Sequence, residues 1–190
     1  MSLVGSGREN TMKTIKRILN YIFIDGLSGM ALGLFATLII GTIIKQVGTY
    51  IHGNIGSYLI VIGQVASSIT GAGIGCGVAY KFRESPLVSF SAAVCGMIGA
   101  FAAKIIAGTV LVEGVITYAG PGEPLGAYVA ALVGITLGRL VSGKTKLDIL
   151  VTPSVTILSG SAAGLLFGPP MSNFMNWLGG IVNWSTERQP

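Results

Sequence analysis

The chain has 190 residues, of which 51% are hydrophobic, 10% are charged and 29 are glycine, and its formal net charge is +5. Its mean hydropathy of +0.75 and its long apolar runs exclude a soluble catalytic domain and indicate an integral membrane protein. The basic residues stand in short clusters between apolar runs without interleaved aromatic residues, so the charge points to membrane topology and not to nucleic acid.

The N-terminal region falls into two parts. Residues 1–11 are polar and rich in glycine and serine, and we expect a tag or disordered segment there, outside the fold. Residues 12–24 are predicted to form a basic amphipathic helix at the membrane interface. Its apolar residues share one helical face: Ile15, Ile18, Leu19, Ile22 and Phe23.

Residues 25–167 are predicted to form an all-α integral membrane domain. Five apolar runs have about the length that crosses a hydrocarbon core of about 30 Å: residues 27–44, 55–80, 86–112, 125–141 and 149–167. The run 55–80 fits either one tilted helix or a broken one. Gly168-Pro169-Pro170 is expected to end the fifth span. The segment 168–190 is predicted to be an interfacial helix and tail, because its aromatic and aliphatic residues follow helical spacing.

The distribution of Lys and Arg predicts the orientation. Eight basic residues flank the spans on one side and two on the other, which predicts that the N-terminus lies in the cytoplasm. The eight are Lys13, Lys16, Arg17, Lys81, Arg83, Arg139, Lys144 and Lys146. An odd number of spans is typical of one half of an inverted-repeat transporter, so a missing C-terminal half or a second copy is an expected partner.

Several separated stretches resemble one bacterial membrane family. They include DGLSGMALGLFATLIIGTII, ITGAGIGCGVAYKFRESPLV, AGPGEPLGAYVAALVGI and GRLVSGKTKLDILVTPSV, in this order. The chain resembles the N-terminal half of the sugar-specific IIC component of the phosphoenolpyruvate-dependent phosphotransferase system, in its PfoR-like group. The resemblance implies a permease that moves a sugar or small polar solute inward by a vertical shift, while cytosolic IIA and IIB proteins phosphorylate it.

The segment ITGAGIGCGVAY, residues 69–80, has glycine at every second position. In a helix these glycines form two adjacent G-x-x-x-G ridges, which let neighbouring backbones approach closely. In an unwound segment they expose backbone groups to a ligand. The second interpretation makes Thr70, Gly73 and Gly75 candidate substrate-binding residues, and Gln64, Ser67 and Ser68 lie just before them.

The stretch AGPGEPLGAYVAAL, residues 119–132, places a carboxylate at the start of the fourth span. Pro124 suits the first helical position, and Glu123 before it can interact with the positive end of the helix dipole. Alternatively, residues 120–122 form a re-entrant turn, and Gly120, Gly122 and Glu123 bind sugar hydroxyls in a polar cavity.

Two further charges stand near the third apolar run. Lys104 lies within it, and Glu113 follows nine residues later, too far for an i,i+4 pair. Both are candidate intramembrane charges, and together with Glu123 they support an alternative function as an ion pathway. A membrane-embedded regulator without transport is a further alternative.

No catalytic residue, metal site or cofactor is predicted. His52 is placed on the outer side, where cytosolic phosphoryl carriers do not reach it, so the chain is expected to be a transport subunit that accepts no phosphate itself. Cys76 and Cys95 stand alone inside apolar runs and are expected to be inert thiols.

Overall fold

The computed structural model describes residues 13–186, so the prediction for residues 1–11 lies outside the described part of the chain. Within it, helices dominate and one two-stranded hairpin interrupts them. The elements are α1 (Lys13–Tyr50), α2 (Asn54–Ser68), α3 (Thr70–Lys81), α4 (Pro86–Ala100), α5 (Ala102–Ile106), β1 (Leu111–Val112), β2 (Val115–Ile116), α6 (Pro124–Val141) and α7 (Asp148–Thr186). The fold is therefore all-α, as the composition predicts. Of the described helices, α1, α6 and α7 are long and apolar enough to cross a membrane, and the bent pair α2–α3 is a fourth candidate.

The first helix joins two predicted elements. The basic segment 12–24 and the span 27–44 are parts of the single helix α1, which continues through Gly26 with helical backbone angles. Its 38 residues extend about 57 Å, more than the hydrocarbon core, so its first turns project beyond the apolar region. Two π-helical turns, Asn20–Gly26 and Phe35–Ile39, occur along it.

The last helix also continues past its predicted boundary. Helix α7 runs for 39 residues and contains Pro153, Pro169 and Pro170. The expected stop at Gly168-Pro169-Pro170 is not present. Each proline removes one intrahelical hydrogen bond and its ring crowds the carbonyl group of the preceding turn, yet the helix continues on both sides of all three.

The second and third apolar runs are both interrupted. The second is the broken alternative: α2 and α3 meet at Ile69 with a bend of 53°. The third is helical only in α4 and α5, and its end forms the hairpin β1–β2. Gly108, with a φ of 69°, ends the helical part, and the β-branched residues that follow favour strand over helix.

Glycine contacts hold the bundle together. On α3, Gly71 and Gly75 face the backbone of α4, whereas Gly73 and Gly77 face α1 near Gly33 and Gly29. The two ridges predicted from the sequence therefore serve two different neighbours. Helix α4 also packs on α6 and α7, which form an antiparallel pair, and α2 packs on the second half of α1. The buried core between α3, α4 and α6 includes Ile74, Val78, Val88, Ala92, Ala127 and Ile135.

Candidate functional site

A polar cleft opens beside the α2–α3 bend. Its volume is about 520 Å³, and it lies between the second half of α1, the end of α2 and the loop that precedes α6. It is lined by Leu38, Thr42 and Lys45 of α1, by Gln64, Val65, Ser67 and Ser68 of α2, and by residues 118–121 of the loop. We call this site the α1–α2 cleft.

Helix geometry accounts for two of its walls. Leu38, Thr42 and Lys45 are spaced by four and three residues, so they occupy one face of α1. On the other wall, α2 ends at Ser68, and the hydroxyl of Thr70 donates to the carbonyl oxygen of Ser67 at 2.6 Å. Gly63 packs against the backbone of Lys45, so no side chain of α2 fills the space between the helices there.

The hydroxyl groups of the cleft share one bonding pattern. Thr42 donates to Leu38 O at 2.7 Å, Ser67 donates to Gly63 O at 2.8 Å, and Ser68 donates to Val65 O at 2.8 Å. Because each proton is engaged by its own helix, the oxygens offer lone pairs toward the cleft. Such acceptors complement a solute that carries several hydroxyl donors.

The third wall is a loop anchored at both of its ends. The Nζ of Lys104 donates to the carbonyl oxygen of Ala119 at 3.0 Å and lies 5.4 Å from the ring centroid of Phe101. The rings of Phe101 and Tyr118 are 4.7 Å apart. Further on, the backbone N–H of Glu123 donates to Ala100 O at 2.7 Å. Residues 118–121 are thus fixed against α4 and α5.

The glycines of this loop have a backbone role. Gly120 and Gly122 have φ values of 84° and 72°, which side chains on L-residues rarely adopt. At Gly122 a Cβ atom would also lie 2.8 Å from Ala100 O. Only glycine therefore allows the loop to turn so closely against the end of α4.

The structure brings together part of the candidate set. Gly120 lines the α1–α2 cleft with Gln64, Ser67 and Ser68, whereas Gly122 and Glu123 adjoin the lining loop without lining the cleft. The Oε2 atom of Glu123 is buried and has no hydrogen-bond partner, as is true of two other side chains among the described residues. Its backbone caps α6 in extended geometry, as the preceding-proline rule predicts.

The remaining candidates lie elsewhere. Thr70 is fully buried, and Gly73 and Gly75 contact neighbouring helices, so their positions support the packing interpretation. Glu113 is exposed at the tip of the β1–β2 hairpin, with Gly114 beside it in a left-handed turn. Among the described residues, no ion pair joins Lys104 to either glutamate.

Sequence reasoning missed three lining residues with polar side chains: Thr42, Lys45 and Tyr118. Thr42 and Lys45 carried a signal, since they share a helical face with Leu38 on a span that is otherwise apolar. Tyr118 had none, because its position depends on the hairpin.

A second polar cluster lies at the opposite edge of the bundle. Tyr21 stacks on Phe82 with ring centroids 3.9 Å apart, and Arg139 Nη1 lies 3.6 Å from Glu84 Oε1. Burial raises the pKa of the Glu84 carboxyl, and the nearby guanidinium of Arg139 opposes this rise. Arg139 and Glu84 therefore form an ion pair at this edge of the bundle, and Asp25 lies nearby along the chain within the first π-helical turn of α1.

Long apolar helices that pack through glycines define a multi-pass membrane protein. The family "Phosphotransferase system, EIIC" matches residues 24–190, so the chain belongs to this family and is a permease component of the phosphotransferase system. This confirms the resemblance to a IIC component of the phosphotransferase system that the sequence shows. No curated protein and no solved structure matches the chain.

Proposed function

We propose that this chain binds a sugar or related polyol in the α1–α2 cleft and moves it across the bacterial cytoplasmic membrane. The observation that carries the proposal is the set of hydroxyl and amide groups on Thr42, Gln64, Ser67 and Ser68, which face one cavity. Its volume of about 520 Å³ falls within the range of small-molecule sites. Cytosolic IIA and IIB proteins would then phosphorylate the solute, as expected for a IIC component of the PfoR-like group.

The orientation supports uptake. With the N-terminus in the cytosol, the end of α1 at Tyr50 and the start of α2 at Asn54 lie outside, and Lys45 is the lining residue of α1 nearest to that side. Lys81, Arg83 and Arg139 then lie at the inner edge, where basic residues favour the cytoplasmic face.

Movement of the solute requires a further part of the protein that covers the open side of the cleft. Apolar residues such as Ile43, Val61 and Val65 are exposed on the helices around the cleft. A C-terminal half of the transporter, or a second copy of this chain, would cover them and close the cavity. A vertical shift of the solute-carrying part against this covering part would then expose the cleft to the cytosol. Glu123, whose Oε2 has no hydrogen-bond partner, is a further candidate ligand for a solute hydroxyl.

The test is uptake of radiolabelled sugars by cells that express the protein together with the cytosolic phosphotransferase proteins. We expect Ser68→Ala combined with Gln64→Leu to abolish uptake. Ser154→Ala is the matched control, since its hydroxyl also donates to its own helix, to Leu150 O at 2.7 Å, but lies on α7 away from the cleft. Equal uptake by the cleft variant and the control would refute the proposal.

The same cells separate the alternatives. A regulator would alter transcription of neighbouring genes without any uptake. An ion pathway would give a solute-independent, voltage-dependent current that Lys104→Met changes.

A further inference from the structure

The α1–α2 cleft is lined by positive charge without negative charge among the described residues. Of the described residues that line it, Lys45 alone is ionisable with a positive charge, and no carboxylate lines it. Lys45 also has no ion-pair partner among the described residues, where Arg139 pairs with Glu84 instead. An ammonium group without an ion-pair partner at the wall of a cleft favours an anionic oxygen nearby.

A second cation reinforces this field. Lys104 lies behind the loop wall, where its Nζ contacts Ala119 O, and Ala119 itself lines the cleft. The nearest carboxylate along the loop, Glu123, lies beyond Pro121, and its Oε2 is buried outside the cleft lining. The cavity is therefore electropositive despite its membrane setting.

Few side chains of the cleft can donate hydrogen bonds to a solute. Since the Thr42, Ser67 and Ser68 protons are engaged by backbone carbonyls, the lining side chains that can still donate with more than one proton are the Gln64 amide and the Lys45 ammonium. Hydroxyls of a solute can donate to the three hydroxyl oxygens. The solute group that accepts a hydrogen bond from the Lys45 ammonium is bound most strongly when that group is negatively charged.

We propose that the solute of this site is a sugar acid, meaning a polyhydroxylated compound with one carboxylate, and that Lys45 selects it over the neutral sugar. This inference rests on the proposed function, because it names the substrate class of the same cleft. The carboxylate would pair with Lys45 Nζ on α1, and the hydroxyls would face the serines at the end of α2.

The test uses matched pairs of solutes that differ only in a terminal CH₂OH or COO⁻ group: glucose with glucuronate, galactose with galacturonate, and glucitol with gluconate. Binding to the purified chain in lipid nanodiscs is measured by calorimetry at low and high salt. We expect the acid of at least one pair to bind about tenfold or more tightly than its neutral partner, with the preference reduced by salt. Lys45→Gln should remove the preference, and Lys45→Arg should keep it.

The control is Lys81→Gln, which removes the same charge at the other edge of the bundle and should leave the preference intact. Elution profiles and helical circular dichroism show whether each variant is folded. Neutral sugars that bind as tightly as their acids would overturn the inference and leave the proposed function standing. Absence of binding by every compound of the three pairs would count against both.

Discussion

A glycine substitution on α3 distinguishes packing from ligand binding. In Gly75→Ala, the new Cβ would overlap the backbone oxygen of Ala92 on α4, and it would lie 2.6 Å from Ala92 C and 2.9 Å from Ala93 N. Ordinary contact begins at 3.4 Å, so α3 and α4 must separate by about 0.8 Å or more. A gap of this size loses a quarter to a half of each dispersion contact along the interface. We expect the variant to lose about 1 to 3 kcal/mol of stability.

The assay is unfolding in detergent, followed by helical circular dichroism during a denaturant titration. Gly179→Ala is the matched control, because a Cβ at that position of α7 meets no atom within 4 Å. There the substitution should be neutral or stabilising, since alanine favours helix over glycine. The packing argument fails if Gly75→Ala is as stable as Gly179→Ala, and a loss of solute binding in such a stable variant would support the ligand interpretation.

Three further predictions concern the loop before α6, the first helix and the Glu84–Arg139 ion pair. Lys104→Met should weaken solute binding roughly fivefold without unfolding the bundle, because residues 118–121 lose the hydrogen bond from Lys104 to Ala119 O. Calorimetry measures the binding, and an unchanged affinity would contradict the prediction. Tyr128→Phe should lower the free energy of unfolding by about 1 kcal/mol, since the Tyr128 hydroxyl donates to a carbonyl oxygen in the first π-helical turn. Gly26→Ala would place a Cβ against that hydroxyl, so it should be less destabilising in the Tyr128→Phe background than in the wild type. Additive effects of the two substitutions in unfolding titrations would refute this contact. Burial raises the pKa of the Glu84 carboxyl above its ordinary value of 4.5. The protonated carboxyl therefore stabilises the folded state fully below pH 4.5, and this stabilisation is lost as the pH rises through the raised pKa. The free energy of unfolding of the wild type should fall over this pH range, and Glu84→Gln should remove the fall.

The sequence predicts the helical membrane fold because apolar run length and glycine spacing act locally. The two ridges of α3 follow directly from the alternation of Gly71, Gly73, Gly75 and Gly77, and the structure shows which helices they meet. The break at Ile69 was one of two alternatives, since nothing at that position except the adjacent hydroxyl residues favours it over a continuous helix.

Tertiary contacts account for what the sequence could not predict. The third apolar run ends early because its C-terminal part pairs as a hairpin, and that hairpin carries Tyr118 to the cleft. Helix α7 continues through Pro169 and Pro170, where the local sequence predicts a stop. Likewise, Lys45 belongs to the candidate site only because α2 folds back on α1 at Gly63.

Thiol labelling tests the central claim that a solute enters the α1–α2 cleft from outside. Ala119→Cys in a Cys76→Ser background places one reactive thiol at the cleft wall, since Cys95 is buried. We predict that a membrane-impermeant maleimide added outside intact cells labels this thiol, and that the solute found by the binding assay slows the labelling. Labelling only from the cytosolic side, or labelling that the solute does not slow, would contradict the account.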